Sequence, residues 1–399
     1  TPPFTGSVTT NVEDKLAQYV SVEDFGASPS ASSAANQTAF ETALAASDSV
    51  FIPEGNYNIT GPLYINGTGK KVFGAGMGAT KLTITGAGAG VIIGNSVSTS
   101  ETNHDISFSD VWISGGTYAL QVGSSTSPLT FIGEISRIKL TDATAGGLYL
   151  YQAIASFNDM AINSNYRGIV TLVAGGDPTA SMFNRCRIYQ NTNEGWYCET
   201  AWEFQFNGCN FESNGKEGVK FVKNDGKIIT NVAFNSCWFE SNLTDGTLSS
   251  ANVLMTATGS TLPSNITFYD CEFNGVTGSG AGNIHIKGGS DPVTLTGNRY
   301  LTPSASCVDI SSVNSYGFTT DNSAVFVNSS RLNVLNGNLQ LTSAAVSVGG
   351  GTANFVSLGS TTATTVGAAG GASALPATPL GYLIAYVGTT QVKIPYYST

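Results

Sequence analysis

The chain has 399 residues, 47 of them Gly, only 11% charged, with a formal net charge of −10. That composition suits many short strands joined by tight turns, and the negative balance argues against nucleic acid or an anionic membrane surface as partner. No apolar run approaches the ~20 residues of a membrane-spanning helix, and six Cys without a CxxC pair suggest neither a disulfide framework nor zinc.

The opening Thr1-Pro2-Pro3-Phe4 carries no signal-peptide pattern and no initiator Met, so a part is expected upstream. One helix is readable, with Ser33 or Asn36 as its cap and Phe40, Ala43 and Leu44 at helical spacing. After Asp48, apolar runs of strand length alternate with Gly, Asn and Ser, beginning with VFIPEGNYNITGPLYI from Val50.

From Phe108 a repeat emerges: an apolar anchor, a second residue three positions on, and an apolar residue five on. Phe108-Val111-Ile113, Ile135-Ile138-Leu140, Phe157-Met160-Ile162, Phe183-Cys186-Ile188, Phe206-Cys209-Phe211, Phe234-Cys237-Phe239 and Phe268-Cys271-Phe273 fit it. Leu295-Asn298-Tyr300 is a weaker copy. Anchors recur at steps of 27, 22, 26, 23, 28, 34 and 27, the differences of the quoted numbers. A loose period of this size is a solenoid signature, one coil per repeat. A second strand follows Gly in each coil, as in Gly195-Trp196-Tyr197-Cys198-Glu199. The expected fold is therefore all-β, a right-handed parallel β-helix whose coils stack like residue on like. Asn165, Asn191, Asn214 and Asn242 then form an amide ladder, and Cys186, Cys209, Cys237 and Cys271 an inward column of packed thiols. The expected divisions are 1–48 (neck and capping helix), 49–322 (β-helix) and 323–399, a β-rich cap that also contacts other subunits.

Val20-Ser-Val-Glu-Asp-Phe-Gly-Ala27, the segment from Thr5, and Val50-Phe-Ile-Pro-Glu-Gly-Asn-Tyr57 resemble the neck and first coil of bacteriophage tailspike depolymerases, within the pectate-lyase-like superfamily. The tail from Gly367 to Tyr397 resembles tailspikes of phages that infect encapsulated Acinetobacter. The resemblance covers both ends and implies a homotrimer on a virion tail. Such a protein degrades bacterial capsular or other surface polysaccharide and joins the tail through an N-terminal head-binding domain, which this sequence lacks. No cofactor and no metal are implied.

Outward positions name the candidate chemistry. Four after each anchor stand Trp112, Lys139, Ala161, Arg187, Asn210, Trp238 and Glu272; six after stand Ser114, Thr141, Asn163, Tyr189, Glu212, Glu240 and Asn274. Glu212 and Glu240 share Phe-Glu-Ser-Asn in neighbouring coils, and stacking sets their carboxyl groups at roughly 5 Å, the spacing of a retaining glycosidase pair. The same tetrapeptide also suits a turn in which Glu only bonds backbone amides, so both readings stay open. Glu272 or Asp270 could instead partner Glu240 at the wider gap of inversion. Tyr189, Trp238, Tyr197, Glu199, Arg187, Lys220 and Asn210 are the expected sugar-binding side chains. The two histidines, His104 and His285, sit far apart in the repeat, against a Ser-His-Asp hydrolase. An endo-glycoside hydrolase is the leading expectation. A polysaccharide lyase using Lys139, Arg187, Lys220 and Tyr189 or Tyr197 is the second, and a non-catalytic glycan-binding fibre the third.

Overall fold

The structure is a computed structural model that describes residues 11–13, 19–94, 103–124, 130–224, 226–244, 251–257, 263–276, 283–289, 293–301, 308–313, 325–328, 381–387 and 390–396. It comprises two units, Thr1–Gly337 and Asn338–Thr399. Most of the expected neck and the cap segments 332–341 and 346–371 lie outside the described residues.

The first unit is a right-handed parallel β-helix. Its strands form a 21-stranded and an 11-stranded sheet, and every pairing within both is parallel between successive coils. In each of these coils the larger sheet bends after the anchor at a residue in the left-handed backbone region: Asp159, Arg185, Gly208, Ser236 and Asp270 have φ of 54°, 52°, 58°, 51° and 49°. That bend divides it into face 1, carrying the anchors, and face 2; the smaller sheet is face 3. The anchors stack as aromatic rings inside: centroids of Phe157, Phe183, Phe206, Phe234 and Phe268 follow at 4.5, 4.6, 5.0 and 4.8 Å. All five are fully buried, so the repeat is a core repeat before it is anything else.

The corner between faces 2 and 3 holds the amide ladder. Nδ2 of Asn165 donates to Oδ1 of Asn191 (3.2 Å), Asn191 to Asn214 (2.9 Å) and Asn214 to Asn242 (2.8 Å). The ladder then continues through Asn252 and Asn283. Asn165, Asn191, Asn214 and Asn242 each also donate to a carbonyl of the preceding coil, which closes the turn. The Gly that opens each face 3 strand belongs to the same packing. A Cβ on Gly195 would stand 2.5 Å from the Gly218 carbonyl and 2.9 Å from the Asn214 amide, so no larger residue fits between the coils.

The Cys column is inward and buried. The thiols of Cys209, Cys237 and Cys271 each donate to an anchor carbonyl one coil back at 3.3 Å. Burial pushes the Cys186 and Cys237 thiols well up, the opposite of what a reactive thiolate needs.

The early helix spans Ser33–Ala46, and Phe40 packs edge-on to Tyr57 of the first coils at 5.6 Å. Its cap corrects the sequence reading: Ser32 is the N-cap, its hydroxyl accepting from the Ala35 N–H. Asn36 is buried and ties the helix to Ser28 and Asn58. Coils also precede Phe108, where no repeat is visible in sequence. Val72 pairs with Phe108 and Leu82 with Ile113, but the turn between those faces is several residues longer there than the single-residue bend of later coils. In the second unit, Gly381–Val387 and Thr390–Tyr396 form an antiparallel hairpin.

Candidate active site

Face 2 gathers most of the expected site residues. Parallel register places Arg187, Asn210, Trp238 and Glu272 in one outward file, and Tyr189, Glu212, Glu240 and Asn274 in the file beside it. Alternation along a strand, period two, turns both files outward while Ile188, Phe211, Phe239 and Phe273 point into the core.

Glu212 and Glu240 pair directly between neighbouring coils. Each takes a hydrogen bond from the residue two positions earlier on its own strand: Asn210 Nδ2 to Glu212 Oε2 at 3.0 Å, Trp238 Nε1 to Glu240 Oε2 at 2.9 Å. Asn274 Nδ2 reaches the other oxygen of Glu240 at 2.9 Å. Both Glu240 oxygens are thus occupied by N–H donors, whereas Glu212 Oε1 takes no donor among the described residues. Neither carboxylate caps the turn amides; the ladder Asn residues do that.

Glu272 belongs to the next coil of the Trp238 file and pairs with Arg299 at 3.3 Å. Asp270 stands at the exposed bend between faces 1 and 2, outside the Glu212–Glu240 file.

Tyr197, Glu199 and Lys220 lie on face 3, beyond the Asn corner. The Tyr197 hydroxyl donates to Glu199 (3.1 Å), whose other oxygen accepts from the Val173 N–H (2.9 Å). The Arg167 guanidinium covers the Tyr197 ring at 3.8 Å. Burial, with Glu199 beside it, pushes the Tyr197 phenol up to about 12. Lys220 lies 3.5 and 3.6 Å from Glu194 and Glu217, which are both 1% exposed, and Glu194 also accepts from Arg167 at 2.7 Å. Sequence reasoning missed Glu194 and Glu217. The available signal was their equal placement, each immediately before the corner Gly of its coil.

A third outward feature runs along face 1. Nδ2 of Asn184 donates to Asn158 (2.8 Å), Asn207 to Asn184 (2.9 Å) and Asn235 to Asn207 (2.9 Å). This half-buried ladder occupies its own side-chain amides and leads to the exposed Tyr269. Of the histidines, His104 pairs with the adjacent Asp105, and His285 points outward on face 3.

The model of the family described as "Right handed beta helix region" matches residues 76–262. No curated protein matches by sequence. Among solved structures, the Dettilon tailspike protein gp208 is similar at TM-score 0.57 and 13% identity, covering 82% of this chain and 71% of its own. The gp42 tailspike of Acinetobacter phage vb_AbaP_AS12 is similar at TM-score 0.54 and 13% identity, covering 82% and 67%. ORF18 of Geobacillus virus E2 matches at TM-score 0.49 and 17% identity over 80% of this chain, which spans 61% of that protein.

Proposed function

We propose that this chain is the glycan-cutting part of a phage tailspike, an endo-acting glycoside hydrolase of bacterial capsular or other surface polysaccharide. The observation that carries the reading is the in-register Glu212–Glu240 pair, with its own donors, on an outward face beside Trp238, Tyr189 and Arg187. Adjacent coils stand about 4.8 Å apart, close to the ~5–5.5 Å carboxyl separation of retaining enzymes.

The hydrogen bonds divide the roles. Glu240, held at both oxygens by Trp238 and Asn274, is oriented as the fixed nucleophile. Glu212 has one oxygen free to hydrogen-bond the leaving glycosidic oxygen, and it serves as acid and then as base toward water. Trp238 and Tyr189 offer aromatic surface for pyranose C–H faces, and Asn210 and Arg187 meet hydroxyl or acidic groups. The Asn corner and the stacked Phe core hold both strands rigid, so the pair keeps its separation.

The lyase alternative is weaker on face 3. A base must lose its proton, and the Tyr197 phenol holds it to about 12. Lys220 is already engaged by two buried carboxylates. A binding-only fibre, the third expectation from sequence, becomes the second reading, because a row of aromatic and amide groups holds sugar without cutting it. The tailspike reading also places the chain on a virion tail as a homotrimer. Incubation with a panel of purified capsular polysaccharides tests the whole. Release of reducing ends without the ultraviolet absorbance of unsaturated uronates is expected. Absorbance instead identifies a lyase, and binding with no product identifies the fibre.

A further inference from the structure

We infer that face 2 binds an acidic glycan. The inference rests on reading face 2 as the glycan surface and adds the substrate class. The file that holds Arg187 and Trp238 begins earlier, with Lys81 pairing to Trp112, Trp112 to Lys139, Lys139 to Ala161 and Ala161 to Arg187. Cations therefore occupy alternate coils of the file, Lys81, Lys139 and Arg187, with the first two converging on Trp112.

Their charge is not closed within the protein as that of several other cations is. Arg137, Arg185, Arg167, Lys220 and Arg299 each have a carboxylate partner within 4.0 Å. Among the described residues, Lys81, Lys139 and Arg187 have none. The acid beside the two lysines is Asp142, whose oxygen accepts from Ser114 and Thr141 at 2.6 Å. Glu212 stands one coil after Arg187 in the neighbouring file, bonded to Asn210. Asp142 offsets one of the three charges and leaves this stretch of the file net positive, in a chain whose total is −10.

The lysines are also splinted. Their ammonium groups sit 4.0 and 3.9 Å from the Trp112 ring centroid, one from the coil on each side. The indole is held in turn by Nε1 donating to Thr141 at 2.8 Å. Two long side chains fixed in advance lose little freedom when an anion arrives, so the arrangement favours binding beyond its charge. Arg187, beside Tyr189, is the last cation before Asn210 and the Glu212 strand. An acidic chain laid along the file is led toward the carboxylate pair.

The test is binding to the wild-type chain of two probes. Hyaluronan oligosaccharides carry a carboxylate on every second ring. The same oligosaccharides after reduction of the carboxyl groups to alcohols carry none. Hyaluronan should bind at least about tenfold tighter than its reduced form, with the advantage shrinking as salt rises. The double variant Lys139→Gln/Arg187→Gln should abolish the difference. Lys71→Gln, a cation on face 1 beside Phe73, should leave it intact. Equal affinity for the reduced form, no binding of hyaluronan, or an equal effect of Lys71→Gln overturns the inference. Cleavage is not needed for this readout. A charge preference without any polysaccharide cutting removes the hydrolase reading alone, and cutting without charge preference removes this one alone.

Discussion

Glu212 and Glu240 face outward from adjacent parallel strands in direct register, and each is held by the side chain two residues before it, Asn210 and Trp238 respectively. The two hydrogen bonds repeat the same geometry one coil apart, with different donors. The coil stack thus sets the separation of the carboxylates, while the donor identities set how each is presented.

Trp238→Phe separates those two contributions at Glu240. It keeps a smaller aromatic surface for sugar and removes the Nε1 donor to Oε2. A fall of about tenfold in kcat with little change in KM is expected, because the lost bond positions the reacting carboxylate. A raised KM with unchanged kcat would make Trp238 a platform only.

The pH dependence distinguishes face 2 from face 3. Tyr197 has its phenol pushed up to about 12 by burial and by Glu199, so it stays protonated at ordinary pH. If cleavage used Tyr197 as base, the rate would climb with pH toward that value. A profile governed by carboxyl groups, without an alkaline rise, is expected, and Tyr197→Phe should leave its shape unchanged.

The amide ladder predicts a stability effect at a residue with no chemistry. Asn191 accepts from the backbone and side-chain amides of Asn165 and donates to the Ile162 carbonyl and to Asn214. Asn191→Ala leaves several buried groups unpaired and should cost at least about 2 kcal/mol in chemical denaturation. A loss under about 0.5 kcal/mol would show that water or local rearrangement replaces the ladder.

Acid should weaken the bend between faces 1 and 2. Arg137 holds the Asp110 carboxylate through two hydrogen bonds of 2.6 and 2.8 Å, and with Ser109 it lowers the carboxyl below its ordinary value against the effect of burial. A group lowered in the folded state contributes above its unfolded pKa, and that contribution is lost as pH falls through the folded value. Asp110→Asn should therefore be slightly less stable than wild type at neutral pH, by under about 1 kcal/mol for so exposed a pair. The difference should begin to shrink below about pH 4 and vanish only in stronger acid. A gap that persists unchanged into acid would assign the loss to packing.

Much of this surface was legible because a parallel stack converts sequence offset into register. Once Phe206, Phe234 and Phe268 are read as one column, Glu212 and Glu240 become neighbours without further information. The method depends on constant spacing within the coil. It lost the coils before Phe108, where residues 75–79 lengthen the bend, and it ended the amide ladder at Asn242. The next amide of the ladder comes from Asn252, ten residues on. Partners were also hidden. Nothing in the spacing shows that Lys220 is taken up by Glu194 and Glu217, since both acids are identified only by a Gly that follows them. The outer Asn ladder of face 1 was missed for a similar reason: Asn after an aromatic reads as a turn residue until the register stacks it.

The most direct test of the account is the rate of reducing-end release by Glu212→Gln and Glu240→Gln on a capsular polysaccharide that the wild-type chain cuts. Gln keeps size and hydrogen bonding and removes the ionisable group, so the folded protein and its glycan binding should be preserved. Each variant should be slower by at least about 100-fold, the usual contribution of a positioned acid or base. Wild-type rates in both variants would contradict the account and leave the Glu212–Glu240 pair a structural feature of the coil.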